Sequence, residues 1–204
     1  DAVTADKNFS FAPALGGSYE LEFFANDFIS TSQESYKVTL AVTNSDVTYN
    51  MTVLLPDETE PSFYITCGHT EDGTDSLGDE LSFVKGDSDG GYTAYSVSVP
   101  ENISEISVRD EDFGGMSFPA SADSKIQLQK VQTKIFDLGD REISGTVSVS
   151  YGKHTAVGVN GNFLLLPENE YTFTAVPENT SAFNSASEKL TLTQDTNTVC
   201  IKVF

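Results

Sequence analysis

The groups in this chain best able to do chemistry are carboxylates, and their spacing points first to a calcium site. Asp87-Ser88-Asp89-Gly90-Gly91 and Asp110-Glu111-Asp112-Phe113-Gly114-Gly115 each place acidic side chains at the first and third positions of a short loop. Ca²⁺ takes about six to eight oxygens, and an EF-hand loop closes with a bidentate Glu at its twelfth position. Ser98 and Ser121 stand at those positions, so neither loop is an EF-hand. Asp87, Asp89, Asp110 and Asp112 are therefore candidate ligands of a looser Ca²⁺ site completed by backbone carbonyls. The simpler reading is a pair of solvated acidic turns that keep the protein soluble. A third acidic stretch, Glu71-Asp72-Gly73-Thr74-Asp75 with Asp79-Glu80, has the same two readings.

Other chemistry is thinly represented. The chain holds two Cys, Cys67 and Cys200, and two His, His69 and His154. Residues i and i+2 on a strand share a face, so Cys67 and His69 could point at one ligand. Zinc needs three or four ligands, so a zinc centre is not expected from this pair. Both Cys sit among alternating β-type residues, which reads as buried or half-buried free thiols, with a Cys67–Cys200 disulfide linking distant parts of the chain as the alternative. No Gly-x-Ser-x-Gly elbow is present, and a Cys67–His154 pair would join distant parts of the chain with nothing but residue type behind it. Paired carboxylates for glycoside hydrolysis are uninformative where acids are this abundant. The lack of Trp argues against a sugar-binding cleft. Tyr64, Tyr92 and Tyr95 are the rings that could replace it as a ligand platform, with core packing or strand decoration as the competing reading.

The elements that would position these groups are strands. Tyr36-Lys37-Val38-Thr39-Leu40-Ala41-Val42-Thr43, Thr146-Val147-Ser148-Val149-Ser150-Tyr151 and Tyr171-Thr172-Phe173-Thr174-Ala175-Val176 alternate apolar and Ser/Thr residues, giving one face to a core and one to water. The pattern predicts strands near 8–12, 18–25, 36–43, 47–55, 62–68, 80–85, 92–99, 104–109 and 125–131. Others follow near 133–137, 145–151, 154–158, 162–166, 170–176, 188–193 and 197–204. Turn signals separate them at Gly16-Gly17, Asn44-Ser45-Asp46, Asp72-Gly73, Asp89-Gly90-Gly91, Gly114-Gly115 and Asn160-Gly161. No helix of 12 residues or more is predicted. Ala120 to Lys134 suits a strand pair with a short connection at least as well as a helix. Short strands at this spacing mean an all-β protein, and the expected architecture is two tandem β-sandwich domains, Ig-like or jelly-roll-like.

Charge divides the 204 residues. Residues 1–130 carry 23 acids and 6 bases, while residues 131–204 carry 8 and 5, so the net charge of −20 belongs mostly to the first part. This asymmetry predicts an acidic β-sandwich domain over 1–130 and a small one over 131–204. The acidity excludes nucleic acid as a natural partner and disfavours anionic membrane surfaces. No stretch approaches the roughly 18 apolar residues of a membrane-spanning helix, so direct membrane insertion is not expected. Asp1 in place of Met suggests a processed chain.

Residues 134–204 carry the most readable pattern. Ile143-Ser144-Gly145-Thr146-Val147-Ser148-Val149 precedes Asn160-Gly161-Asn162-Phe163, then a Leu166-Pro167 turn and Glu170-Tyr171-Thr172-Phe173-Thr174-Ala175. This resembles the prealbumin-like surface modules of bacteria, among them carboxypeptidase-regulatory-like domains and the B-type repeats of collagen adhesins and pilins. The resemblance implies a sandwich that serves as stalk or spacer. B-type pilin repeats often carry a catalytic Glu for a Lys–Asn isopeptide bond where this chain has Ala175, so no such cross-link is expected. The segment 92–109 resembles parts of large extracellular proteins of Gram-positive gut bacteria. Together these readings predict a non-enzymatic, extracellular or cell-surface protein. Its second part would be a spacer, and its first would be able to bind a protein or glycan. The alternatives are a carbohydrate-binding accessory module and a small carboxylate-dependent hydrolase.

Overall fold

The computed structural model describes residues 17–25, 34–42 and 47–204. Every regular element among them is a strand, as the alternation requires. A hairpin of β1 (Gly17–Ala25) and β2 (Glu34–Val42) stands as its own two-stranded sheet. The next elements are β3 (Thr48–Pro56), β4 (Ser62–His69), β5 (Asp75–Leu81), β6 (Phe83–Asp89) and β7 (Tyr92–Pro100). They are followed by β8 (Glu105–Arg109), β9 (Ser117–Pro119) and β10 (Lys125–Gln127). These eight strands form two four-stranded sheets, ordered β10-β3-β7-β6 and β5-β4-β8-β9.

The remaining strands are β11 (Gln129–Phe136), β12 (Gly145–Tyr151), β13 (His154–Ala156), β14 (Asn162–Leu165), β15 (Glu170–Pro177), β16 (Ala186–Thr191) and β17 (Thr198–Lys202). They form a three-stranded sheet, β14-β11-β17, and a four-stranded sheet, β13-β12-β15-β16.

Burial follows the sequence period. Met51, Val53 and Leu55 of β3 and Tyr95, Val97 and Val99 of β7 point into one core, and Phe63 of β4 meets the Tyr95 ring at 6.1 Å from the opposing sheet. Val131 and Ile135 of β11 and Tyr171, Phe173 and Ala175 of β15 repeat the pattern further on. The stretch expected as one strand over 125–131 is broken at Leu128. Its first three residues pair in parallel with β3, while β11 pairs with β14 and β17. Leu128 itself is buried, and its N–H donates to the Leu54 carbonyl at 3.0 Å. Every strand of the first two large sheets precedes Leu128, and every strand of the last two follows it. The chain changes sheets without a linker.

Some differences from expectation have a physical cause. The strand predicted near 80–85 is two edge strands, β5 and β6, separated by Ser82. An edge strand can be polar along its length, and all seven residues of β6 are exposed, so little alternation marked it. The two thiols are exposed, not core residues. The pairing of β4 with β5 slips between Tyr64/Thr66 and Thr66/Gly68, so Ile65 and Thr66 both turn inward and Cys67 turns out. In β17 it is Val199 and Ile201 that take the buried phase, leaving Cys200 outside. The predicted strand at 8–12 and the turn at Asn44-Ser45-Asp46 lie outside the described residues, as does Gly16 of the Gly16-Gly17 turn.

Candidate functional site

The chain's two histidines meet. His69 ends β4 and Asp75 begins β5, directly opposite one another in the hairpin register. The turn between them is built by its own side chains. Asp72 Oδ1 accepts from the Thr70 hydroxyl and, at 3.0 Å, from the Thr74 N–H, while Thr70 N–H donates to the Thr74 carbonyl at 2.8 Å. Asp72 thereby closes the loop, which is why Asp-Gly-Thr-Asp folds as a tight reversal.

His154 comes from a second hairpin, in which Tyr151 pairs with His154 around Gly152 at φ +57°. Backbone hydrogen bonds then hold this hairpin against loops of the earlier sheets. Thr155 N–H donates to the Gly73 carbonyl at 2.8 Å, and Thr155 Oγ1 donates to the Asp72 carbonyl at 2.9 Å. Gly115 and Val157 exchange a pair of bonds, at 2.7 and 3.0 Å. Gly114 passes so close that a Cβ there would stand 2.0 Å from the Val157 carbonyl oxygen. Only a residue without a side chain fits this seam. Glu105, the first residue of β8, brings a second carboxylate to His154.

Asp75 Oδ1 lies 2.7 Å from His69 Nδ1 and 3.2 Å from His154 Nδ1, and Glu105 Oε1 lies 3.3 Å from the latter. The imidazoles meet edge to face with centroids 4.5 Å apart, and Tyr151 stacks on His154 at 6.2 Å. An ionised carboxylate only accepts, so the Nδ1 atoms facing Asp75 carry protons. The Asp75 side chain has no exposed surface. Burial alone would push its carboxyl up. The Ser117 hydroxyl and the two imidazoles outweigh that and hold it below the usual carboxylate range. No group completes a well-directed hydrogen bond to Asp75 Oδ2, nor to Glu105 Oε1, although both atoms are buried. Arg109 adds a positive charge near Asp75, with its own Nη1 donating to the Val108 carbonyl at 2.8 Å.

The sequence-predicted residues fall elsewhere. Asp87 and Asp89 are exposed on the edge strand β6, where charges discourage pairing with another chain. Asp110 has both oxygens occupied: Oδ1 accepts the N–H groups of Asp112 and Phe113 in its own loop, each at 2.9 Å, and Oδ2 accepts the N–H of Glu60 from the β3–β4 connection at 2.7 Å. Asp112 follows in that loop and shares an open acidic pocket of about 450 Å³ with Tyr64, Glu58, Glu60, Asp110 and Glu111. The first aspartate pair thus lies on β6 and the second in the loop after β8, which belongs to the other sheet. Among the described residues, the group with three metal-competent side chains is His69, Asp75 and His154, whose ligand atoms all lie within 4.8 Å of one another. Tyr95 belongs to the core, its hydroxyl donating to the Thr59 carbonyl at 3.2 Å, so it offers no platform to a ligand. Tyr64 and Tyr92 are half-buried on separate strands, β4 and β7.

Sequence spacing pairs His69 with Cys67, and the fold pairs it with Asp75 and His154. Gly68, at φ +127°, together with the adjoining register slip, breaks the simple i, i+2 relation. The available signal was the acidic loop 71–75, whose last residue turns inward while Asp72 serves the turn. Comparisons with protein-family models, with curated proteins and with solved structures return no match.

Proposed function

We propose that this chain is a non-enzymatic spacer of an extracellular or cell-surface protein, two tandem β-sandwich units held in one fixed orientation. The observation that carries the reading is the junction. The chain passes from β10 to β11 through Leu128 alone, and the 154–157 strand is hydrogen-bonded to the loops around Gly73 and Gly115. A hinge between units needs residues free to change φ/ψ, and a stalk needs the opposite. The interface is reinforced by Lys130, which pairs with Glu58 at 3.0 Å and stands 4.0 Å over the Phe113 ring, and by the Tyr171 hydroxyl beside Met116 Sδ at 3.8 Å. The strongly acidic surface suits a protein that must stay monodisperse while exposed to solvent. The likeness of residues 134–204 to prealbumin-like surface modules agrees with this role, and a protein or glycan ligand would be met by the acidic first unit.

Small-angle scattering of the full chain tests it. A spacer gives one elongated, concentration-independent envelope that fits a single rigid arrangement. Profiles that require an ensemble of independently moving lobes would overturn the reading, as would steady turnover of a glycoside substrate.

A further inference from the structure

We infer that His69, Asp75 and His154, with Glu105 beside them, form a binding site for a divalent transition metal of the zinc class at the seam between the two halves of the chain. The donor set is two imidazoles and one carboxylate, with a second carboxylate in reach, which suits Zn²⁺ and its first-row neighbours and not the all-oxygen shell of Ca²⁺. The spacing also fits. With bonds of about 2.0–2.2 Å, neighbouring donors around a tetrahedral or octahedral ion stand roughly 2.9–3.5 Å apart. Three neighbouring donor pairs stand 2.7, 3.2 and 3.3 Å apart, and the His69, Asp75 and His154 donors all lie within 4.8 Å of one another, so an ion needs only local adjustment of these side chains.

A second, independent observation concerns unmet demand. Asp75 is completely buried as a side chain, yet no group completes a well-directed hydrogen bond to its Oδ2, and the buried Glu105 Oε1 has the His154 Nδ1 at 3.3 Å without a well-directed bond. A buried carboxylate oxygen left without a donor is costly. Of these two oxygens, Glu105 Oε1 faces the His154 imidazole, and a dication held by the cluster would neutralise both carboxylates. Neutral imidazoles leave the two carboxylates with a double negative charge, offset in part by Arg109. Metal binding by Nδ1 requires only that each ring proton sit on Nε2, a change of tautomer with no change of charge. The ligands come from both sides of the junction, His69, Asp75 and Glu105 from strands before Leu128 and His154 from after it, so the ion would clamp the seam. The inference does not require the spacer reading, since a metal held here is equally compatible with a ligand-binding protein.

The test uses the full chain stripped with EDTA. Calorimetric titration with ZnCl₂ should give one site per chain. At a hundredfold excess over Kd the melting temperature should rise by roughly 5–10 °C, whereas millimolar CaCl₂ leaves it unchanged. Co²⁺ substitution should give a visible d–d spectrum typical of nitrogen and oxygen ligands without a thiolate charge-transfer band. His69→Gln and His154→Gln should each weaken zinc binding by tenfold or more, while Cys67→Ser and Asp112→Asn keep it. Absence of stoichiometric zinc binding to the wild-type chain overturns the inference, whatever the variants do. So does a cobalt thiolate band, or an equal response to Ca²⁺. If a histidine variant misfolds by circular dichroism, the wild-type cobalt spectrum and the Cys67→Ser titration still decide the matter.

Discussion

Gly114→Ala isolates the energy of the seam, because Gly90 supplies a matched control. Gly114 has φ +63° and Gly90 has φ +60°, so alanine meets the same left-handed backbone strain at both, about 1 kcal/mol. The surroundings differ. A Cβ at Gly90 meets nothing within 4 Å, while one at Gly114 would stand 2.0 Å from the Val157 carbonyl oxygen and 2.8 Å from Gly158 Cα. No rotamer relieves a clash with backbone, so the 154–157 strand must withdraw. That sacrifices the paired Gly115–Val157 hydrogen bonds, each worth about 1 kcal/mol net. Gly114→Ala should therefore cost about 3 kcal/mol against about 1 for Gly90→Ala. For a chain of this size 1 kcal/mol moves the melting temperature by roughly 2–4 °C. Scanning calorimetry should place Gly114→Ala about 4–8 °C below Gly90→Ala, and scattering should show a larger radius of gyration for the former alone. Equal melting temperatures and superimposable scattering would refute the claim that this close approach holds the two halves together.

Two further outcomes follow from single side chains. Asp137 accepts hydrogen bonds from the N–H groups of Arg141 and Gly139 and from the Arg141 guanidinium, which hold its carboxyl below the usual range. A depressed folded value means stability that is full above the unfolded carboxyl range, near pH 4, and is lost as pH falls through the folded value. Asp137→Asn should therefore melt lower than wild type at pH 7, and the gap should close in strongly acidic buffer; a gap that widens on acidification would be the contrary result. Both thiols are exposed, so a native-state thiol assay should titrate two per chain. Partial burial, and then the charge of Asp79, raise the Cys67 thiol, so its reaction should accelerate more steeply with pH above neutrality than that of an unshifted thiol. Protection of either thiol until denaturation would contradict its placement.

Strand content was legible because period-2 alternation is a local signal and survives in β3, β7, β11 and β15. The edge strands were less legible: β5 reads Asp-Ser-Leu-Gly-Asp-Glu-Leu and β6 is exposed throughout, so little alternation marks either, although Leu81 is buried and Phe83 meets the Phe63 and Tyr95 rings. The site was hidden for a different reason. His69 and Asp75 are near neighbours, but a strand read with unbroken alternation puts His69 beside Cys67, and only the bulge in β4 revises that. His154 is 79 positions from Asp75, and no periodicity reports such a meeting. The acidic loops stand out by composition, yet Asp110 Oδ1 accepts the N–H groups of Asp112 and Phe113 and Asp72 Oδ1 accepts the Thr74 N–H, so these oxygens serve their own turns.

The seam and the histidine cluster are one object, and that has a thermodynamic consequence. His154 reaches Asp75 only while Thr155 and Val157 keep their backbone bonds to Gly73 and Gly115. Whatever weakens docking removes a ligand from the cluster, and whatever binds the cluster favours docking by the same factor. A seam docked a tenth of the time would bind an ion about tenfold more weakly than one docked throughout. Gly114→Ala, which touches none of the four ligand side chains, should therefore lower zinc affinity, and zinc should restore part of the melting temperature that substitution removes. Gly90→Ala, with equal backbone strain and no contact across the seam, should do neither. An unchanged zinc affinity in Gly114→Ala would mean that the cluster forms without the docked hairpin, and His154 would then have to reach Asp75 by some path other than the 154–157 strand.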